Sequence, residues 1–158
     1  MNAPLVGWRG WTLHGGRLVG ATGWPWTSRI RRAWCGLWHS PGDVHVPFDR
    51  CVCGLYAYKQ QAMLLTQTYP IWGQVSLWGQ VAIHEYGLRA EWARIDRLWT
   101  PYDSCKRTLV RIFPTLCEDP DGGLAFLDDD LDAELQILSA QAEWEGRGLE
   151  EDLRRPLL

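Results

Sequence analysis

The sequence predicts an α+β protein: an antiparallel β-rich domain over about residues 7–99 with one short internal helix, followed by C-terminal helices. Three observations point there. Gly15-Gly16 sits between two apolar and aromatic runs, the pattern of a tight β-hairpin. Val75, Leu77, Val81 and Ile83 alternate with Gln74, Ser76, Trp78, Gln80 and His84, the period of a strand with one buried face. Beyond residue 103 the spacing becomes helical, with Leu109, Ile112 and Phe113, then Leu131, Leu135, Leu138 and Ala142, on apolar stripes.

In chain order, residues 7–13 and 18–20 form the hairpin. Residues 29–35 read as a short strand, and 36–50, broken by Pro41, Gly42 and Pro47, as a loop. Residues 51–58 read as a strand and 59–68 as the short internal helix. Residues 71–85 are the long strand, where Gly79 marks a bulge or a close backbone approach. Past Tyr86-Gly87 the chain can be drawn as a helix through Leu88, Trp92, Ile95 and Trp99, or as a returning strand; the tight turn favours a strand to about Ala93. Asp103 or Ser104 caps a helix that Pro114 stops. Residues 120–123 are a turn, and 128–147 an amphipathic helix whose first turn carries the acidic residues its dipole favours.

A chain of 158 residues suits one core. It divides into a compact β-rich part, 1–117, ending in a helix, and an acidic helical extension, 118–158, expected to pack on the same domain. The division is electrostatic. Up to residue 117 there are thirteen Lys and Arg against six Asp and Glu, and beyond it three against thirteen, so +7 is followed by −10. Such an extension can dock on the basic body, shield it from nucleic acid, or keep the chain in solution. No run of 18 apolar residues can span a bilayer, and MNAPLVGWRGW has neither the basic start nor the apolar core of a signal peptide, so a cytoplasmic protein without membrane contact is expected. Thiols stay reduced there, and the five cysteines are expected as core residues, metal ligands or nucleophiles rather than bridges.

Three constellations could carry chemistry. Cys35, His45, Cys51 and Cys53, with His39 as an alternate, surround the irregular loop; four such side chains can hold a structural zinc in a tetrahedron, or they can be core thiols and surface histidines. His84, Glu85, Arg89 and Glu91 flank the Gly87 turn and could do acid–base work on an anionic substrate, or simply form cross-strand pairs such as Glu85 with Arg89. Arg31 and Arg32 lie near Trp24, Trp26 and, further along, Trp78; Arg binds phosphates and Trp stacks on bases, so these are the candidate ligand-binding residues. Eleven Trp are present, ten of them before residue 100, which fits a Trp-rich interaction surface. There is no P-loop, nucleophile triad or dinucleotide turn.

The strings Ala33-x-Cys35, His45-x-Pro47-x-x-x-Cys51-x-Cys53-Gly54-Leu55-Tyr56-Ala57, Gly73-x-Val75-x-Leu77-Trp78-Gly79-x-Val81 and His84-Glu85-x-Gly87-x-Arg89-Ala90-Glu91 resemble a family of small uncharacterised proteins of actinobacteria and their phages. The resemblance spans about residues 7–99. It implies that these strings share one domain, and it brings no activity with it.

The reading that follows is a noncatalytic binding or adaptor protein with a protein partner, for which the resemblance implies a phage- or defence-related role. Its alternatives are an enzyme acting on a nucleotide or nucleic acid through His84, Glu85, Arg89 and Glu91, and a nucleic-acid binder restrained by its acidic extension. The cysteine loop generates the first prediction: native mass spectrometry of protein purified without added metal finds one zinc per chain, and Cys51→Ser loses both the metal and the fold. A metal-free wild-type chain would make the thiols ordinary core residues.

Overall fold

The computed structural model describes residues 3–21, 23, 25–33 and 53–127. The Gly-Gly hairpin forms as its turn chemistry requires. Gly15 and Gly16 both take positive φ, and β1 (Leu5–His14) pairs antiparallel with β2 (Arg17–Gly20) from Trp11↔Gly20 to His14↔Arg17. Two short strands follow: β3 (Pro25–Trp26), paired with β2, and β4 (Ile30–Arg32). After β5 (Leu55–Tyr58) comes the single turn-and-a-half of α1 (Gln61–Leu65). The chain then makes its longest elements, β6 (Ile71–Ile83) and β7 (Gly87–Trp99), which pair along their length from Trp72↔Trp99 to Ile83↔Leu88.

This long hairpin organises everything else. The free edge of β6 carries β1, in register from Leu5↔Leu77 to Trp11↔Ile71. The free edge of β7 carries β5 at Gly87 to Ala90, β4 at Trp92 to Arg94, and a C-terminal strand at Arg97 and Leu98. Because β5 also meets β1 at Trp8↔Tyr58, strands β1, β6, β7 and β5 close a hydrogen-bonded ring. Closure removes sheet edges that would otherwise expose unpaired backbone groups.

The ring encloses the core. Odd-numbered residues of β6 (Ile71, Val75 and Leu77) point inward with Trp11 of β1 and with Ala90, Ala93, Ile95 and Leu98 of β7. Full burial of each large aliphatic side chain contributes about 1.5–3 kcal/mol. Helix α2 (Asp103–Ile112) adds Leu109, and Phe113 at its C-cap follows it into the same core. Its N-cap is Tyr102, which supplies no side-chain hydrogen bond, so neither Asp103 nor Ser104 occupies the capping position.

The fold is therefore mostly antiparallel β rather than α+β. After α2 the described chain does not continue in helices: β8 (Leu116–Glu118) and β9 (Leu124–Phe126) pair with each other, and β9 rejoins the sheet on β7. The Asp119 carboxylate ties the intervening turn by accepting from the backbone N–H groups of Asp121 and Gly123. Three-residue strands are too short to display a period, so only the turn between them was readable. The first residues of the acidic segment thus belong to the sheet, and the helix expected at 128–147 lies outside the described residues. Likewise β7 runs to Trp99, past Ala93. Asp96 is an extra residue in β7 opposite the Gln74–Val75 step, and this bulge shifts the inward positions from Ile95 to Leu98; the helix-spaced series mixes the inward Leu88 and Ile95 with Trp92 and Trp99 of the other face.

A second bulge sits where Gly79 interrupts the pattern. Gly79 and Gln80 together oppose Glu91; Gly79 has φ +77°, and the Glu91 carboxylate accepts from the Gln80 N–H at 3.2 Å. Both readings of this glycine apply, since a Cβ there would come within 2.7 Å of Glu91 Oε2 and 2.9 Å of Trp92 Cδ1. No described helix is long and apolar enough to cross a membrane. Gly79→Ala should lower stability by about 1–2 kcal/mol, the cost of a left-handed Cβ, with the contact to Trp92 adding to it. Urea denaturation checks this, and an unchanged midpoint would contradict the bulge geometry.

Candidate functional site

The alternation that buries the odd residues of β6 turns its even residues outward. Trp72, Gln74, Ser76 and Trp78 stand in register beside Trp99, Arg97, Arg94 and Trp92 of β7, with Val6 and Trp8 of β1 in the same rows. Five tryptophans (8, 72, 78, 92 and 99) are half-buried on this outer face. They form two groups. Trp8 and Trp99 meet at 5.7 Å between ring centroids, with Trp72 directly opposite Trp99. Six residues along β6, about 20 Å away at strand rise, Trp78 and Trp92 stack at 6.2 Å and 5°. Arg32 of β4, in register with Trp92, lays its guanidinium over that ring at 5.3 Å, and Arg97 covers Trp99 at 4.8 Å.

Between the two groups lies a polar seam created by the Asp96 bulge. Asp96 accepts from Ser76 Oγ at 2.6 Å and from Arg94 Nε at 2.9 Å, and its Oδ1 is 2.8 Å from Arg94 Nη2. The other cations are matched too. Arg32 pairs with Glu91 at 3.2 Å, and Arg97 with Asp119 and, at 3.4 Å, with Asp121. Each arginine of this face thus meets at least one carboxylate, and the face is aromatic and close to neutral rather than cationic.

The residues singled out from sequence are scattered by the fold. Trp78 and Arg32 belong to the aromatic face. Trp26 is 2% exposed and packs edge-on against Trp11 at 5.5 Å, and Arg31 is buried with its Nη1 donating to the Pro25 carbonyl. Burial holds the Arg31 guanidinium down at about 10, below its ordinary range. Trp24 lies outside the described residues, as do Cys35, His39, His45 and Cys51. Cys53, the remaining member of the expected zinc set, is half-buried, and its carbonyl accepts from Arg89 at 3.1 Å. Among the described residues no group of three or more His, Cys, Asp or Glu is placed to hold a metal ion.

The acid–base constellation is also dispersed. His84 and Glu85 are exposed at the hairpin tip, Arg89 is buried against Cys53, and Glu91 is engaged by Arg32 and the Gly79 bulge. The residues that sequence reasoning passed over, Trp8, Trp72, Trp92, Trp99, Arg94, Asp96 and Arg97, did carry a signal. Gln74, Ser76 and Trp78 already marked the outward rows, and the hairpin turn placed β7 across from them. What was absent was the register, because two bulges intervene.

No protein-family model, curated protein or solved structure matches the chain. The seam can be weighed directly. Asp96→Ala leaves the largely buried Arg94 without its carboxylate and should cost about 3 kcal/mol or more, while Ser76→Ala, which removes one hydrogen bond, should cost about 1 kcal/mol. Chemical denaturation of both variants checks the ordering, and equal losses would mean that the seam is a solvated surface pair.

Proposed function

We propose that the chain is a noncatalytic binding module whose outer β1–β6–β7 face docks a protein partner. The observation that carries this reading is the pairing of five half-buried tryptophans with charge-compensated arginines on one sheet face. Tryptophan and arginine are the residues on which protein interfaces concentrate their binding free energy, and an aromatic surface without net charge releases water on docking without leaving a cation unpaired. A polyphosphate backbone would have to displace Asp96, Glu91 and Asp119 from the arginines it needs, which weighs against nucleic acid. The zinc clip expected from Cys35, His45, Cys51 and Cys53 belongs to this proposal as a structural element, remote from the chemistry of docking.

The test combines capture with reconstitution. A protein recovered on the full chain from its source cells is purified and titrated against wild type and against Trp78→Ala and Trp92→Ala, exposed-face substitutions that leave the inner core intact. Each variant should weaken binding by about 30-fold or more, the effect of removing a hot-spot aromatic, with little dependence on salt. Unchanged affinity in both variants would overturn the proposal. So would tight binding of a dT12 oligonucleotide that falls steeply as salt rises, the mark of phosphate recognition.

A further inference from the structure

Arg9 is a buried cation that pairs with no carboxylate among the described residues. Its neighbours on β1, Gly7 and Trp11, face the core, and its own side chain is 9% exposed. The guanidinium lies 5.4 Å from the Trp26 ring centroid and donates from Nη1 to the Tyr56 carbonyl at 2.5 Å, while the buried Nε has no hydrogen-bond partner. Burial, and then repulsion from Arg31, lower its pKa to about 10, with Tyr69 acting in the opposite sense. The sign is unfavourable to folding: a base whose folded pKa is depressed destabilises the fold wherever it stays protonated, and below about pH 10 Arg9 does. Two buried guanidiniums close enough to repel, neither one paired to an acid among the described residues, are a standing electrostatic cost.

Arg9 also lines a cavity of about 300 Å³ at the place where the ring of strands closes. Tyr56 and Tyr58 of β5 form one wall, Trp8 and Tyr69 another, and Tyr86 from the hairpin tip stands at the mouth, 58% exposed. Among the described residues no carboxylate lines it. Tyr69 can cross β1 because residue 10 is glycine; a Cβ there would fall 2.1 Å from its ring. A volume at the small end of ligand pockets, flat aromatic walls and one desolvated guanidinium describe a complementary shape and charge.

We propose that this cavity binds a small planar organic anion, an aromatic or heteroaromatic ring bearing a single carboxylate or phosphate, whose charge meets Arg9 and whose ring lies among the tyrosines. The site uses none of the outward residues of the proposed docking face apart from Trp8 at its border, so the two proposals stand or fall separately. Inside the cavity the anion supplies a charge that the described residues leave out, and a guanidinium is suited to both a carboxylate and a phosphate.

Isothermal titration of the full chain with adenosine 5′-monophosphate and with benzoate, beside their uncharged counterparts adenosine and benzamide, tests this and separates the two anion sources. At least one anion should bind with a dissociation constant below about 1 mM, at least tenfold tighter than its neutral counterpart, and raise the melting temperature. Arg9→Met should abolish that difference, and Tyr86→Ala, at an exposed position that folding does not need, should weaken the anion by about three- to tenfold. Should Arg9→Met fail to fold, Tyr86→Ala and the neutral analogues decide the matter. Absence of binding by both anions up to about 5 mM, equal binding of charged and neutral analogues, or full affinity in Tyr86→Ala overturns the proposal.

Discussion

The β6–β7 hairpin is the constraint on which the rest of the molecule depends. Thirteen residues on each side commit one face of the sheet inward and one outward, and the two bulges adjust that commitment without reversing it. In an unbroken hairpin the extra residue at Asp96 would flip every later side chain of β7. The bulge absorbs it, so Ile95 and Leu98 both stay in the core while Asp96 joins Ser76 and Arg94 on the surface. The same geometry that fills the interior therefore builds the polar seam between the two tryptophan groups, and packing and binding chemistry cannot be varied independently along these strands.

Electrostatically the two candidate sites are opposites. On the outer face each arginine is matched by a carboxylate, Arg32 by one on a neighbouring strand, Arg94 by one on its own strand and Arg97 by one in a turn, so it contributes shape and hydrogen-bonding capacity without a field. Arg9, which lines the closure cavity, and the buried Arg31 have carbonyl acceptors, Tyr56 for one and Pro25 for the other, and no acid among the described residues. Carbonyl dipoles satisfy individual N–H groups but leave the net charge in place. This contrast separates a surface complete in itself from a site that is electrically unfinished.

Local features were legible in the sequence, and long-range ones were not. Gly15-Gly16 named its own turn, Gly79 announced its bulge, the even-and-odd alternation of residues 71–78 assigned the faces of β6, and Leu109 and Phe113 identified α2. Each is a property of a few consecutive residues. The fold class was misjudged because β8 and β9 are shorter than any detectable period, so helices were expected where the described chain returns to the sheet. Trp26 and Arg31 looked like surface residues by composition, yet in strands of two and three residues the buried side is set by the partner strand, here β2 for one and β7 for the other. Arg9 gave no signal at all, since a single arginine between Trp8 and Gly10 says nothing about the missing counter-charge. The cavity is assembled from β1, β5, the chain before β6 and the hairpin tip, segments up to about seventy residues apart.

The order in which strands join β7 has a further meaning for the chain as it is made. β4 and β5 precede β7 in the sequence, yet their backbone partners are residues 87–94, and the outer edge of β1 waits for β6. During synthesis at about 5–20 residues per second, the stretch from the end of β5 to the end of β7 takes roughly 2–8 seconds to emerge. Throughout that interval β4 and β5 have apolar residues such as Ile30, Leu55 and Ala57 but no template to receive them. The nascent N-terminal half can thus pair β1, β2 and β3 among themselves while β4 and β5 wait for the hairpin that receives them.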